Sequence, residues 1–227
     1  FIGYVPGKYR NFYVREPKLR KVSAAPFRDR VVHHAIGNIL EPIFDQRFIY
    51  DSYACRKGKG THRAIFRCSD WMKKYQYVLK CDIQDFFASI DHQVLLDIVS
   101  RRITDSKVIE LIRRILQSGV GILDSEYEPV WFTGDDLFSI SRPKGLPIGN
   151  LTSQFLANVY LNELDYFVKF NLRVHPYIRY VDDFVLFADS KAELQERKQQ
   201  ISEFLIRLRL VLEVKKSFIA PSRRGIN

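Results

Sequence analysis

Only three of the 227 residues are cysteines, Cys55, Cys68 and Cys81, and no two stand in C-x-x-C spacing. That excludes a disulfide framework and a zinc site and suits a reducing compartment. Long apolar runs are also missing: none approaches the ~18 residues that a membrane helix requires, so no membrane partner is expected. No signal peptide is present, and nothing in the sequence directs the chain out of the cytoplasm. Internal repeats and low-complexity tracts are absent. The cationic loop Cys55-Arg56-Lys57-Gly58-Lys59-Gly60-Thr61-His62-Arg63 lacks Walker A spacing and is not a P-loop. The chain starts at Phe1 rather than at a Met and is expected to be a fragment.

What is present is positive charge and aromatic surface. Against 26 Asp plus Glu stand 36 Lys plus Arg, a formal charge of +10. An excess of that size favours a polyanionic partner, and nucleic acid is the usual one. Seventeen Phe and twelve Tyr offer stacking platforms for bases as well as core material. The length suits one large domain or two intimate lobes.

Along the chain, Pro6, Pro17 and Pro26 break up a basic N-terminal region. Arg15 to Val22 reads as strand–turn–strand, with Lys18 and Arg20 on one face. Two cations there either clamp a triphosphate or guard a solvated edge. A helix is expected over Val31–Leu40; His33 and His34 diverge on it and do not form a metal pair. The cationic loop suits contact with a nucleic-acid backbone through Arg56, Lys57 and Lys59, before a helix from about Ala64 to Lys74. Tyr77-Val78-Leu79-Lys80-Cys81-Asp82-Ile83 reads as a buried strand ending on an acid, then a tight turn over residues 85–90. Asp91 is placed to cap a helix, and a second helix covers Lys107–Gln117. Residues 119–142 read as loop with short strands, and a long helix with an apolar stripe spans Leu151–Phe170.

The segment Tyr177-Ile178-Arg179-Tyr180-Val181-Asp182-Asp183-Phe184-Val185-Leu186-Phe187-Ala188 has two apolar, β-rich runs around a pair of acids. It reads as a β-hairpin carrying both carboxylates at its tip, with Asp taking the left-handed backbone of the turn. A helix over Ala192–Leu210 and a strand over Val211–Val214 follow. From Tyr77 the order is strand, helices, strand–turn–strand, helix, strand. This is an α+β plan, the split βαβ antiparallel sheet with helices on one face. In that plan Asp82 lies beside Asp182 and Asp183.

Lys80-Cys81-Asp82-Ile83-Gln84-Asp85-Phe86-Phe87, Leu146-Pro147-Ile148-Gly149, Tyr180-Val181-Asp182-Asp183 and Pro26-Phe27-Arg28-Asp29-Arg30-Val31-Val32 resemble the successive sequence blocks of reverse transcriptases. The resemblance covers almost the whole chain. It implies a right-hand polymerase, with fingers over 1–76, palm over 77–90, a connecting region over 91–148 and palm again over 149–227. No thumb is expected within these residues, so they are expected to bind metal, with dNTP binding left open, and to extend primers weakly or not at all. Leu146 to Gln154 is most similar to the enzymes of diversity-generating retroelements. Group II intron and retron enzymes usually carry Gln-Gly where this chain has Ile148-Gly149, and Ser-Pro where it has Ser153-Gln154.

The resemblance implies RNA-directed DNA synthesis from dNTPs on an RNA template with a DNA or RNA primer, in a prokaryotic or phage setting. Two Mg²⁺ ions (or Mn²⁺ in their place) about 3.5–4 Å apart would stabilise the attacking and leaving oxygens. Asp82 and Asp182 are the implied bridging ligands, with Asp183 more peripheral and the Ile83 carbonyl completing a shell. Phe87 is the implied gate against a 2′-hydroxyl, although Phe86 and Phe87 also suit a core. Lys18 and Arg20 match the fingers cations, and Gly149 and Ile148 the nucleotide loop. Lys216, or else Lys215, would protonate pyrophosphate. Arg28 and Tyr180 join the loop cations as nucleic-acid contacts. An aliphatic Ile148 in place of Gln implies low fidelity opposite template adenine. The retroelement class also implies a small basic accessory protein and a structured RNA. A nucleotide cyclase would carry a Gly-Gly-acid-acid-Phe turn, and an RNA-dependent RNA polymerase a Gly before its paired acids and a smaller gate. A palm kept only as a nucleic-acid-binding module remains the non-enzyme alternative.

Overall fold

The computed structural model describes residues 3–15 and 19–226. In chain order the elements are β1 (Arg10–Arg15), β2 (Leu19–Ala24), α1 (Phe27–Asp45), α2 (Thr61–Met72), β3 (Tyr77–Cys81) and α3 (Phe86–Ser89). There follow α4 (His92–Ser100), α5 (Ser106–Gln117), α6 (Leu151–Tyr166), β4 (Tyr177–Tyr180), β5 (Asp183–Ala188), α7 (Lys191–Arg207) and β6 (Phe218–Pro221). They form two compact units: Phe1–Phe44 with Asp85–Tyr160, and Asp45–Gln84 with Leu161–Asn227. Among the described residues, no helix is long and apolar enough to cross a membrane.

In the first unit β1 and β2 make the expected hairpin, in register from Arg10↔Ala24 to Arg15↔Leu19. Its tip, including Lys18, lies outside the described residues. One face of α1 is buried through His33, Ile36, Leu40 and Phe44, at the three- and four-residue spacing of a helix stripe. Asp91 caps α4 as expected, accepting from the Gln93 and Val94 N–H groups, and Asp105 does the same for α5. The short strands expected within 119–142 are not there. Asp135 accepts from the Phe132 N–H and Asp136 from the Ser139 N–H, and the segment settles into short 3₁₀ turns. These local side-chain bonds satisfy backbone donors that a strand ladder would need.

The second unit is built on a four-stranded antiparallel sheet, order β4-β5-β3-β6. Residues 45–76 fold with this sheet: Tyr53, Ala64 and Trp71 pack with Val78, Ile178 and Phe187 on one face. Strand alternation sends Leu79, Cys81 and Leu186 to the other face, where Lys198 of α7 lies close enough to bias the Cys81 thiol. Leu79 and Leu186 are wholly buried, each worth about 1.5–3 kcal/mol relative to exposure. The expected last strand is displaced. At residues 211–214 only Leu212 bridges, to Ile83, and the paired strand is β6. Glu213 turns the chain instead, its carboxylate accepting from the Lys215 N–H and its carbonyl from the Lys216 N–H. The helix expected to Phe170 ends at Tyr166 and widens into a π turn over Phe167–Asn171.

Candidate active site

β4 and β5 are joined by the two-residue turn Val181-Asp182, since Tyr180 pairs with Asp183. The left-handed residue is Val181 (φ +56°), not an Asp as the sequence suggested. Positive φ at the first turn position alone is the type II′ pattern, where glycine is usual. A β-branched residue there stores about 1–3 kcal/mol of strain, so the surroundings must hold it. Beneath the turn, Arg179 and Asp165 form a buried bidentate pair at 2.8 and 2.7 Å.

Register explains how the acids meet. Cys81 pairs with Phe184, so the next position, Asp82, comes opposite Asp183, and both share the face of Lys80. The Lys80 ammonium stands 3.9 Å from Asp183 Oδ1. Lys216 donates to Asp82 Oδ1 at 2.9 Å, and the Asp82 N–H donates to Ser217 Oγ at 3.3 Å. Two further backbone bonds, Glu213 N–H to Asp82 carbonyl and Gln84 N–H to Val211 carbonyl, fix the end of β3. They leave the Ile83 carbonyl on the opposite edge, the side of β5.

Burial pushes Asp182 up to about 6, and the Asp183 and Asp82 charges add to the rise. Burial also raises Asp183, against the pull of Lys80, while the hydrogen bond to Asp82 raises the Lys216 ammonium. Three carboxylates facing two ammonium groups leave unbalanced negative charge. Among the described residues, no three acids, histidines or cysteines stand close enough together to cage an ion by themselves. Mg²⁺ does not need such a cage, because it keeps waters and takes one or two carboxylates plus substrate phosphates. The all-oxygen donor set of Asp82, Asp182, Asp183 and the Ile83 carbonyl fits that hard cation.

Of the other candidate residues, Arg20, Arg28, Phe86, Phe87, Ile148 and Gly149 belong to the first unit, and Arg56, Lys57, Lys59, Tyr180, Lys215 and Lys216 to the second. Phe86 is buried in the first unit, edge-on to Phe87 at 5.3 Å, and Phe87 keeps part of its surface open. Arg20 is exposed on β2, the strand that the Ile148–Gly149 loop grips: Ser23 N–H donates to the Ile148 carbonyl at 2.7 Å. A Cβ on Gly149 (φ +114°) would meet Val22 Cγ1 at 2.7 Å, so only glycine fits there. Arg28 reaches the Val5 carbonyl. Arg56 is taken up by Asp45 and the Ile49 and Ser52 carbonyls, and Lys59 by the Tyr50 carbonyl and ring. Lys57 is exposed, and the Tyr180 hydroxyl meets Thr61 Oγ1 at 2.9 Å. Lys216 reaches the acids, whereas Lys215 is exposed, its N–H bound to Glu213.

Sequence reasoning missed Lys80, Ser217, Arg179 and Asp165. Lys80 was readable by alternation, two residues before Asp82. Arg179 was readable as a charge inside an otherwise apolar strand, which demands a buried partner. Ser217 carried no signal.

A four-stranded antiparallel sheet with paired acids on one hairpin and a third acid on the neighbouring strand is a palm-like arrangement. Residues 13–225 match the family model for reverse transcriptase (RNA-dependent DNA polymerase), and the chain belongs to that family. Group II intron-encoded protein LtrA of Lactococcus lactis is 28% identical over 73% of this chain and 26% of its own length. Protein YkfC of Escherichia coli is 26% identical over 92% of this chain and 63% of its own. Nuclear intron maturase 1, mitochondrial, of Arabidopsis thaliana is 26% identical over 72% and 32%. This chain thus spans about a quarter of LtrA and under two thirds of YkfC. A telomerase structure from Candida albicans, in complex with a fragment of telomeric RNA, shares the fold, with a TM-score of 0.58 at 11% identity over 95% of this chain and 42% of that one.

Proposed function

We propose that this chain is the catalytic core of an RNA-directed DNA polymerase that extends a primer with dNTPs. The observation that carries the reading is the convergence of Asp82, Asp182 and Asp183 on one end of the sheet, beside Lys80 and Lys216. Bound Mg²⁺ would neutralise charge on the attacking and leaving oxygens of the in-line displacement. Asp82 and Asp182 would hold it, with Asp183 and the Ile83 carbonyl at the periphery. Lys216 would give its proton to the departing pyrophosphate, a role supported by its hydrogen bond to Asp82. By the family resemblance, Phe87 would be the gate against a 2′-hydroxyl, and Lys18 and Arg20 the cations on the triphosphate. In this reading the sheet unit is palm and the hairpin of β1 and β2 belongs to fingers.

Two sub-classes compete. Ile148 and Ser153-Gln154 favour a low-fidelity enzyme of a diversity-generating retroelement, working in a prokaryotic or phage cytoplasm with a basic accessory protein. The likeness to LtrA and to an intron maturase favours a group II intron-like enzyme. Mg²⁺-dependent primer extension on RNA and DNA templates, by the full-length protein and its Asp182→Asn variant, tests the shared part. The expected result is dNTP-dependent extension on RNA that falls at least a hundredfold in the variant, or roughly 2.7 kcal/mol of barrier. Tight RNA binding without extension on any template would favour the binding-module alternative.

A further inference from the structure

The guanidinium of Arg179 is wholly buried on β4, and it faces two ways. Its Nε and Nη2 donate to Asp165 Oδ1 and Oδ2 of α6 at 2.8 and 2.7 Å. Its Nη1 donates to the Val181 carbonyl at 3.0 Å, inside the turn that presents Asp182. Asp165 is itself fully buried and also accepts from the Tyr177 hydroxyl at 2.8 Å. The backbone of Arg179 is held from outside the sheet, its N–H donating to the Asp51 carbonyl and its carbonyl accepting from the Tyr53 N–H, both at 3.0 Å.

A buried ion pair is a poor source of stability, because desolvating both charges offsets most of their attraction. Its geometry here does something that apolar side chains of the same volume would not. The planar fork ties a helix to the carbonyl of the one turn residue that holds an unfavourable left-handed backbone. Val181 at φ +56° would relax unless something fixed it, and relaxation would re-aim the next residue, Asp182.

We propose that Arg179, locked by Asp165 and Tyr177, is a positioning residue that holds the strained Val181 turn and thereby aims Asp182 into the acidic cluster. The proposal rests on the reading of that cluster as a metal site. Lys at position 179 keeps the charge that neutralises Asp165, yet a single ammonium cannot grip Asp165 with a fork and reach the turn as well. Glycine at position 181 adopts positive φ freely and removes the need for the clamp.

The test is a Mn²⁺ titration followed by electron paramagnetic resonance, on the full-length protein, with thermal unfolding as the fold control. Arg179→Lys is expected to stay folded and to weaken Mn²⁺ binding roughly 10–100-fold, with kcat of primer extension falling while KM for dNTP holds. Adding Val181→Gly to Arg179→Lys should return most of the lost affinity, which a merely structural role for Arg179 would not allow. If Arg179→Lys does not fold, Asp165→Asn, which preserves shape and loosens the fork, is expected to show a smaller loss that Val181→Gly also repairs. Unchanged Mn²⁺ affinity in Arg179→Lys, or no repair by Val181→Gly, overturns the brace. Unchanged affinity in Asp182→Asn removes the metal-site reading and the brace with it. Loss in Asp182→Asn with none in Arg179→Lys removes the brace alone.

Discussion

At the scale of single residues, Ile148 is the position from which sub-class can be decided. Its backbone is pinned, with the carbonyl accepting from Ser23 and Gly149 wedged against Val22, while its side chain is only half-buried. A substitution at 148 therefore changes side-chain chemistry without moving the loop. Ile148→Gln supplies an amide where a branched alkyl group stands, and one added hydrogen bond is worth roughly two- to tenfold in discrimination. Sequencing of cDNA from wild type and variant is expected to show a drop of that size in misincorporation opposite template adenine. An equal adenine error rate in the two would count against the low-fidelity reading.

At the scale of elements, the start of α4 ties the Phe87 segment to the loop that leads to Ile148. His92 Nε2 donates to the Gly145 carbonyl at 2.8 Å, while the Gly145 and Leu146 N–H groups donate to the Ile90 and Phe87 carbonyls. Burial lowers the His92 pKa, with Lys144 pushing the same way and the Gly145 bond and Asp91 opposing; burial likewise lowers His33 in α1. The unfolded chain then binds more protons below its ordinary value near 6.5, so acid draws the equilibrium toward unfolding. In urea denaturation between pH 7.5 and 5 the histidine contribution is expected to fall as pH drops below about 6.5. Asp182 works against it, because its raised pKa adds stability as pH falls through about 6. His92→Gln, which keeps a donor, should make that slope shallower; an identical slope would clear His92 of the effect. Elements were also where the sequence was most legible. The caps at Asp91, the β1–β2 pairing and the hairpin all rest on short-range patterns. The displaced β6 and the 3₁₀ turns of 119–142 were not legible, because single carboxylates, Glu213, Asp135 and Asp136, decide which backbone donors remain for a ladder. Likewise the acids themselves stood out as a motif, but the facing of Asp82 and Asp183 depends on a register set a hundred residues apart.

At the scale of the whole molecule, a charge of +10 has to be spent on something. Arg56 and Lys59 are occupied by groups of residues 45–52, whereas Lys57 stands exposed and suited to a phosphate. RNA binding is therefore expected to weaken steeply with salt, and Lys57→Ala should reduce the slope of log K against log salt by about 1, equally for unrelated sequences. Fluorescence anisotropy from 50 to about 200 mM salt measures it. An unchanged slope would place the phosphate contacts on other cations.

The order of the sheet has a consequence for the chain as it is made. β3 is central, yet its partner β5 begins at Asp183 and its other neighbour β6 ends at Pro221, paired with Tyr77. At a synthesis rate of roughly 5–20 residues per second, a newly made β3 waits on the order of 7–30 seconds before both flanking strands exist. Through that interval Val78 and Leu79, wholly buried in the finished fold, are exposed to solvent. The nascent chain should therefore depend on ribosome-associated chaperones, and its yield of folded protein should respond to codon choice between positions 82 and 221.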